Sequence, residues 1–202
     1  MSIVDPWSGA PQPRRVLVQP LIGVLGKKYS GKDTLAGFLM EWHGFKRVAF
    51  ADRMKATALD VNPYFPSPLS GRLRDLVDAW GWDQAKKHPE VRAFLQDFGQ
   101  AVRAVDRDVW VWPVRWTVQG LLANGTPVVV TDVRLPNEVG MVRSLGGVLV
   151  RVLRDTGVED GTEDHVSETA LDDMPVDVVV DNNGSLGELR EAAHELAEVV
   201  LP

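Results

Sequence analysis

The chain predicts a three-layer α/β fold, with a mostly parallel sheet of about five strands, helices on both faces and one helical insertion. Three observations carry that expectation. Short apolar runs rich in valine alternate with amphipathic helical patterns, as strands buried on both faces do when crossover helices cover them. The run VLVQPLIGVLG passes without a break into GKKYSGKDT and then into a helical pattern, which is the opening of a βαβ unit. The length of 202 residues, with 45% hydrophobic and 25% charged, suits one domain with a sizeable core.

Residues 1–15 hold three prolines and are predicted to be a flexible N-terminal arm, leaving residues 16–202 as one domain. Residues 16–26 are apolar and end in glycine, as a buried strand does. Residues 32–42 follow as a helix, with Leu35, Phe38 and Leu39 at helical spacing and Gly44 as the stop. A short strand is predicted at 46–50, and Asp52 is placed to N-cap a helix running to residue 60. The stretch VNPYFPSPLSG at 61–71 holds three prolines and is predicted to be a loop without regular structure. Helical patterns at 72–80 and 90–105 each gather one apolar face: Leu73, Leu76, Val77 and Trp80, then Phe94, Leu95, Phe98 and Val102. A third helix at 110–123 ends at Asn124-Gly125. TPVVVTD at 126–132 is a second buried strand, which makes residues 52–123 an insertion between core strands. A helix at 136–145, a strand at 148–153, an acidic turn-rich stretch at 155–164, a short helix at 167–172, a strand at 176–181 and a helix at 186–200 complete the prediction. No internal repeat or low-complexity block interrupts it.

Composition narrows the chemistry. Lysine and arginine number 22 against 28 aspartates and glutamates, a net charge of −6, which argues against a generic binder of nucleic-acid polymers or membrane surfaces. No cysteine is present, excluding a disulfide scaffold, a thiolate metal site and a cysteine nucleophile. The histidines at 43, 88, 165 and 194 are scattered. The polar, proline-broken start reads as neither signal peptide nor membrane span, and a cytoplasmic protein is predicted.

One motif stands above this background: Gly26-Lys27-Lys28-Tyr29-Ser30-Gly31-Lys32-Asp33-Thr34, between a buried strand and a helix. It satisfies G-x-x-x-x-G-K in the context its mechanism demands. Glycines let the backbone approach phosphate oxygens so that successive N–H groups form an anion nest. The helix N-terminus adds its dipole, and Lys32 adds a point charge for β- and γ-phosphates. Three of the seven lysines fall at positions 27, 28 and 32. An exposed glycine-rich turn is the alternative, and it leaves that clustering without a reason. Asp33 stands where Ser or Thr is usual for binding Mg²⁺, and Thr34 follows one position later.

With this loop, the chain resembles the deoxynucleoside monophosphate kinases of tailed bacteriophages, a branch of the P-loop nucleoside monophosphate kinase superfamily. Further segments carry the resemblance in order: FADRMK (50–55), FLQDFGQAVRAVDRDVWV (94–111), VVVTDVRLPNE (128–138) and HVSE (165–168). Together with the loop they span positions 22 to 168. The resemblance implies a P-loop kinase fold, ATP as donor with Mg²⁺, a deoxynucleoside monophosphate (dNMP) as acceptor, and relatives that include homodimers. A virus-encoded member would work in the host cytoplasm. The Asp after the loop lysine is what the family leads one to expect.

Candidate site residues follow. Asp132 ends a strand where doubly wound sheets bind ligands and would hold Mg²⁺ through water together with Asp33 and Thr34; a turn or capping aspartate is the alternative. Arg134 would stabilise the transferring phosphoryl group, and Glu138 would pair with it or bind the deoxyribose, with a solvated helix carboxylate as the alternative. The resemblance puts Arg53 and Lys55 in an acceptor-binding segment, and Arg92, Gln96, Arg103 and Trp110 in the insertion beside the acceptor base. The tryptophans other than Trp110 or Trp112 are predicted to be core. Arg151 and Arg154 bracket the end of a strand just before a lid-like loop at 154–165, which the resemblance implies would close over ATP. His165 and Glu168 would position the nucleotide or cap a helix. The function expected is transfer of the ATP γ-phosphoryl group to a dNMP, without a general base. Two rivals stand: a P-loop kinase for another small phosphorylated acceptor, like the animal phosphomevalonate kinases, and a non-catalytic nucleotide-binding module.

Overall fold

Along the chain, the computed structural model, which describes residues 19–155 and 174–201, contains β1 (Leu21–Leu25), α1 (Lys32–His43), β2 (Lys46–Val48), α2 (Phe50–Val61), β3 (Tyr64–Phe65), β4 (Gly71–Arg72), α3 (Leu73–Ala85), α4 (Pro89–Val105), α5 (Val111–Ala123), β5 (Val128–Val130), α6 (Pro136–Ser144), β6 (Val148–Leu153), β7 (Val178–Asp181) and α7 (Leu186–Val200). Five strands form the main sheet in the order β2-β5-β1-β6-β7, with every pairing parallel.

The three layers follow from the alternation of side chains along β1, whose five residues are all buried. Ile22 and Val24 join Leu35 and Leu39 of α1 and Leu189 and Leu196 of α7 on one face. Leu21 and Leu25 join Val114 and Val118 of α5 and Val142 of α6 on the other. A strand with apolar residues at both parities can only sit between two helical layers. The insertion carries a smaller core of its own, with Phe65, Leu73, Leu76, Val91 and Leu95. From β1 the chain passes through α1 to β2 at one edge, whereas from the neighbouring β5 it passes through α6, on the opposite face, to β6 on the other side of β1. The crevice at the carboxyl ends of β1 and β5 is therefore the switch point where such sheets take ligands.

Several expectations are corrected. Asp52 is not the N-cap of α2: the helix begins at Phe50, with Ala49 in the capping position. The reason is tertiary, because the Asp132 carboxylate accepts from the Phe50 and Ala51 N–H groups at 2.9 and 2.8 Å. Asp52 instead faces Arg47 at 2.7 Å and Lys55 at 3.6 Å. The 61–71 stretch is not wholly irregular, since Tyr64 and Phe65 pair antiparallel with Arg72 and Gly71. These two residues lie between prolines but keep their own N–H groups, and Phe65 is anchored in the insertion core. Helix α3 runs on past residue 80 to Ala85 through a kink at Gly81, whose φ of 73° is non-helical. The second core strand is only Val128–Val130: Thr131 still donates to the Val48 carbonyl at 3.3 Å, and Asp132 turns away to meet the start of α2. Likewise, β2 stops at Val48 and β7 starts at Val178.

The N-terminal arm, the 167–172 helix, His165, Glu168 and residues 156–165 of the lid-like loop lie outside the described residues. Among the described residues no helix is long and apolar enough to cross a membrane.

Candidate active site

The loop after β1 adopts the backbone its composition requires. Tyr29 has φ 66° and Gly31 φ 93°, two left-handed residues on either side of Ser30, an arrangement that turns successive N–H groups toward one hollow. The Ser30 N–H closes back on the Lys27 carbonyl at 3.2 Å. Helix α1 then starts at Lys32, which is 9% exposed and donates from Nζ to the same Lys27 carbonyl at 3.3 Å. The Lys32 ammonium stands at the N-terminus of α1, beside a loop of left-handed turns, a position suited to a phosphate. Asp33 and Thr34 are exposed beside it, and the Lys28 ammonium sits 4.6 Å over the exposed Tyr29 ring.

A cavity opens here, lined by Gly26, Lys27, Ser30 and residues 151–154. The Ser30 hydroxyl is buried and has no hydrogen-bond partner, a costly arrangement that a ligand oxygen would relieve. Gly26 is required for close approach: a Cβ there would lie 2.5 Å from Ser30 Oγ and 2.9 Å from the Val152 carbonyl. At Gly31 a Cβ would be driven into the Asn182 amide nitrogen. Gly31→Ala therefore combines that collision with a left-handed φ, which alone costs about 1–2 kcal/mol. Thermal melting should show the variant destabilised by at least that much; an unchanged melting temperature contradicts the loop geometry.

Asp132 lies at the end of β5, in the crevice as expected. Both its oxygens accept from the start of α2, so it places the helix that carries Arg53 and Lys55. Burial pushes its carboxyl above the ordinary value, while the Ala51 and Phe50 N–H groups and the Arg134 and Arg47 charges pull it down. Only its remaining lone pairs are left for a metal-bound water. Among the described residues no three histidine, aspartate or glutamate side chains form a metal-binding group.

Glu138 is not a solvated carboxylate: it is 2% exposed. Its Oε2 accepts from the Arg134 N–H at 2.7 Å and the Leu135 N–H at 3.0 Å. Its Oε1 faces Arg103 Nη2 at 3.7 Å. The expected pairing with Arg134 thus runs through the backbone of Arg134, leaving its guanidinium on the exposed side, while the side-chain partner is Arg103 from α4. Burial pushes the Glu138 carboxyl up to about 7, reinforced by the Asp132 charge and opposed by the two N–H groups and Arg103.

The sign of the pH effect follows from that rise. The folded state holds the Glu138 proton more tightly than the unfolded chain, where the ordinary value is 4.5. The resulting stabilisation is full below about pH 4.5 and is lost as pH rises through about 7. Glu138→Gln removes the ionisation, so its melting temperature should gain on that of the wild type between pH 5 and 8, by the equivalent of about 3 kcal/mol. A constant difference across that range contradicts the buried carboxyl.

The remaining residues divide. Trp110 is not available to stack on a base: it is 4% exposed, its indole N–H points to the Gly99 carbonyl at 3.4 Å, and its ring packs near Phe98. Trp42, Trp80, Trp112 and Trp116, by contrast, are exposed, which reverses the expectation for Trp42, Trp80 and Trp116. The buried stripe of α5 is Val111, Val114 and Val118, so Trp112 and Trp116 face outward. Lys55 is half-buried beside Asp52 with Trp82 under its ammonium at 5.8 Å. Arg53, Arg92 and Gln96 are exposed on α2 and α4, and Arg154 is exposed at the cavity mouth. Arg151 lines the same cavity and donates to the Met174 carbonyl at 2.5 Å.

Sequence reasoning missed Asn182. It is 7% exposed, just past β7, and its side-chain amide donates to the Ser30 carbonyl at 2.8 Å. The available signal was the run Asp181-Asn182-Asn183 at a strand's carboxyl end, facing the same crevice.

Comparison with known proteins agrees with this geometry. The profile of the family "Deoxynucleotide monophosphate kinase" matches residues 80–193. The chain is 27% identical over 187 residues to an Acanthamoeba polyphaga mimivirus protein named "Putative deoxynucleotide monophosphate kinase", covering 83% of this chain and 91% of that one. It is 29% identical over 134 residues to the "Deoxynucleotide monophosphate kinase" of Escherichia phage RB69, covering 65% of this chain and half of that longer protein. In fold alone it is similar to the dephospho-CoA kinase of Campylobacter jejuni, with a TM-score of 0.52 at 11% identity over 91% of this chain and 98% of that one.

Proposed function

The chain belongs to the deoxynucleotide monophosphate kinase family, and from that premise and the loop geometry we propose that it transfers the γ-phosphoryl group of ATP to a dNMP. The observation that carries this reading is the nearly buried Lys32 inside a loop of left-handed turns after β1, with Asp132 and Arg134 following the neighbouring strand β5. The phosphate loop lies outside the residues matched by the family profile, so the two supports are independent.

In the reaction, an acceptor phosphate oxygen attacks the γ-phosphorus and the bond to the β–γ bridging oxygen breaks, giving a deoxynucleoside diphosphate and ADP. That acceptor oxygen is already anionic at neutral pH, so positioning and charge stabilisation are the whole task. The 26–34 loop with Lys32, Ser30 and Arg154 holds the donor phosphates. Arg53, Lys55, Arg92, Gln96 and Arg103 face the acceptor, the buried Glu138 holds Arg103 and the turn at Arg134, and Arg134 meets the charge that develops on the transferring group. Mg²⁺ would be held by Thr34 and Asp33 and, through water, by Asp132, and when bound it neutralises the β- and γ-oxygens. Hard oxygen donors few in number suit Mg²⁺, which keeps several waters beside substrate phosphates. We extend the reading to a cytoplasmic protein acting on small nucleotides and not on polymers, with the homodimers among relatives as the ground for expecting a dimer.

The test is ADP release with ATP and a panel of acceptors: the four canonical dNMPs, their ribonucleotide counterparts and phosphomevalonate. The expected result is release stimulated by at least one dNMP. Stimulation by phosphomevalonate alone, or none by any acceptor, contradicts the proposal.

A further inference from the structure

A phosphate loop works only if its peptide planes are held, and here one of them is held from outside the loop. The Ser30 carbonyl and the Gly31 N–H belong to a single planar trans peptide and point in opposite directions. The Asn182 side-chain amide donates to that carbonyl at 2.8 Å in a buried setting. The carbonyl is thereby drawn toward the turn after β7, and the Gly31 N–H is directed to the opposite side. Asn182 is itself fixed, because its backbone N–H donates to the Leu153 carbonyl at 2.7 Å. Leu153 and Ser30 are both walls of the cavity described above. The fit is close enough that only glycine is accommodated at position 31 beneath the amide. A residue 152 positions away in sequence therefore ties the phosphate loop to the end of β6.

We propose that Asn182 is a positioning residue for phosphoryl transfer, orienting the Ser30–Gly31 peptide so that the loop receives the donor phosphates against the β6 rim. The inference rests on the kinase reading for its catalytic consequence, but its effect on donor binding does not depend on which acceptor is used. Asparagine suits this place because it offers a neutral donor. An aspartate of the same shape has no proton to give at neutral pH, and sets a negative charge facing the Ser30 carbonyl and close to the phosphates.

The experiment compares wild type with Asn182→Ala, Asn182→Asp and Asn183→Ala. Binding of a non-hydrolysable ATP analogue is measured by calorimetry, and kcat and KM are measured for ATP and for the acceptor. Asn183 belongs to the same turn but bonds to Asp155 and Asp181, so it controls for general disturbance of the turn. The expected result is analogue binding weakened at least tenfold in Asn182→Ala and further in Asn182→Asp. The KM for ATP rises and kcat falls, the acceptor KM stays within twofold, and Asn183→Ala binds the analogue as wild type does. A purely structural role predicts instead equal loss of donor and acceptor parameters, in step with the melting temperature. Should the Ala and Asp variants not fold, Asn182→Ser, whose hydroxyl is too short to reach the carbonyl, is read the same way. Analogue binding within twofold of wild type in any folded Asn182 variant overturns the proposal. A wild type that binds the analogue but turns over no dNMP overturns the kinase reading alone.

Discussion

Lys32→Ala is expected to lower kcat by about a thousandfold, as removal of a preorganised charge facing the transferring group does, while leaving the fold in place. Two features of the structure set this expectation. Lys32 is nearly buried at the first position of α1, so its charge acts through little water and is worth correspondingly more there. Among its contacts is the bond from Nζ to the Lys27 carbonyl at 3.3 Å, a neutral acceptor whose loss costs about 1 kcal/mol. Lys32 belongs to none of the three hydrophobic clusters that hold the fold, so the substitution is expected to remove more from catalysis than from stability. Steady-state kinetics with circular dichroism and thermal melting check both halves. Turnover within tenfold of wild type contradicts the role given to Lys32, and an unfolded variant contradicts the modest structural role.

Arg134→Ala should lower kcat by about a hundredfold, with the KM for ATP changing by less than about threefold. The contact that Arg134 makes with Glu138 uses its backbone N–H at 2.7 Å, which alanine keeps, so the turn between β5 and α6 should persist. What is lost is an exposed guanidinium at the switch crevice, close enough to Asp132 to hold its carboxyl down. A group that meets charge formed only during transfer affects kcat, whereas one that holds bound ATP affects KM. A raised KM with kcat preserved would reassign Arg134 to ground-state binding.

What could be read from the sequence, and what could not, divides by distance along the chain. The loop from Gly26 to Thr34 was legible because cradling a phosphate needs consecutive backbone groups, so the requirement is written locally. The five-strand parallel sheet was legible for a similar reason: β1 carries apolar residues at both parities, which only a strand covered on both faces can do. The capping of α2 was not legible, because its carboxylate comes from Asp132, about 80 residues on, and Asp52 offered a plausible local substitute. Asn182 was hidden by a still longer separation. Glu138 was mistaken for a possible surface group because sequence shows a carboxylate early in a helix, where solvent is common, and cannot show Arg103 arriving from α4. Trp110 is a different case. The valines at 111, 114 and 118 already mark the buried stripe of α5, and from it Trp112 and Trp116 could have been placed outward.

The central claim is that one crevice brings the ATP γ-phosphoryl group and a dNMP phosphate together. The most direct measurement follows label from γ-³²P-ATP with each dNMP in turn, separating the products. The account predicts label in the β-phosphate of a deoxynucleoside diphosphate, in step with ADP formation and lost in Lys32→Ala. Label appearing only as inorganic phosphate, with every dNMP recovered unchanged, would contradict it.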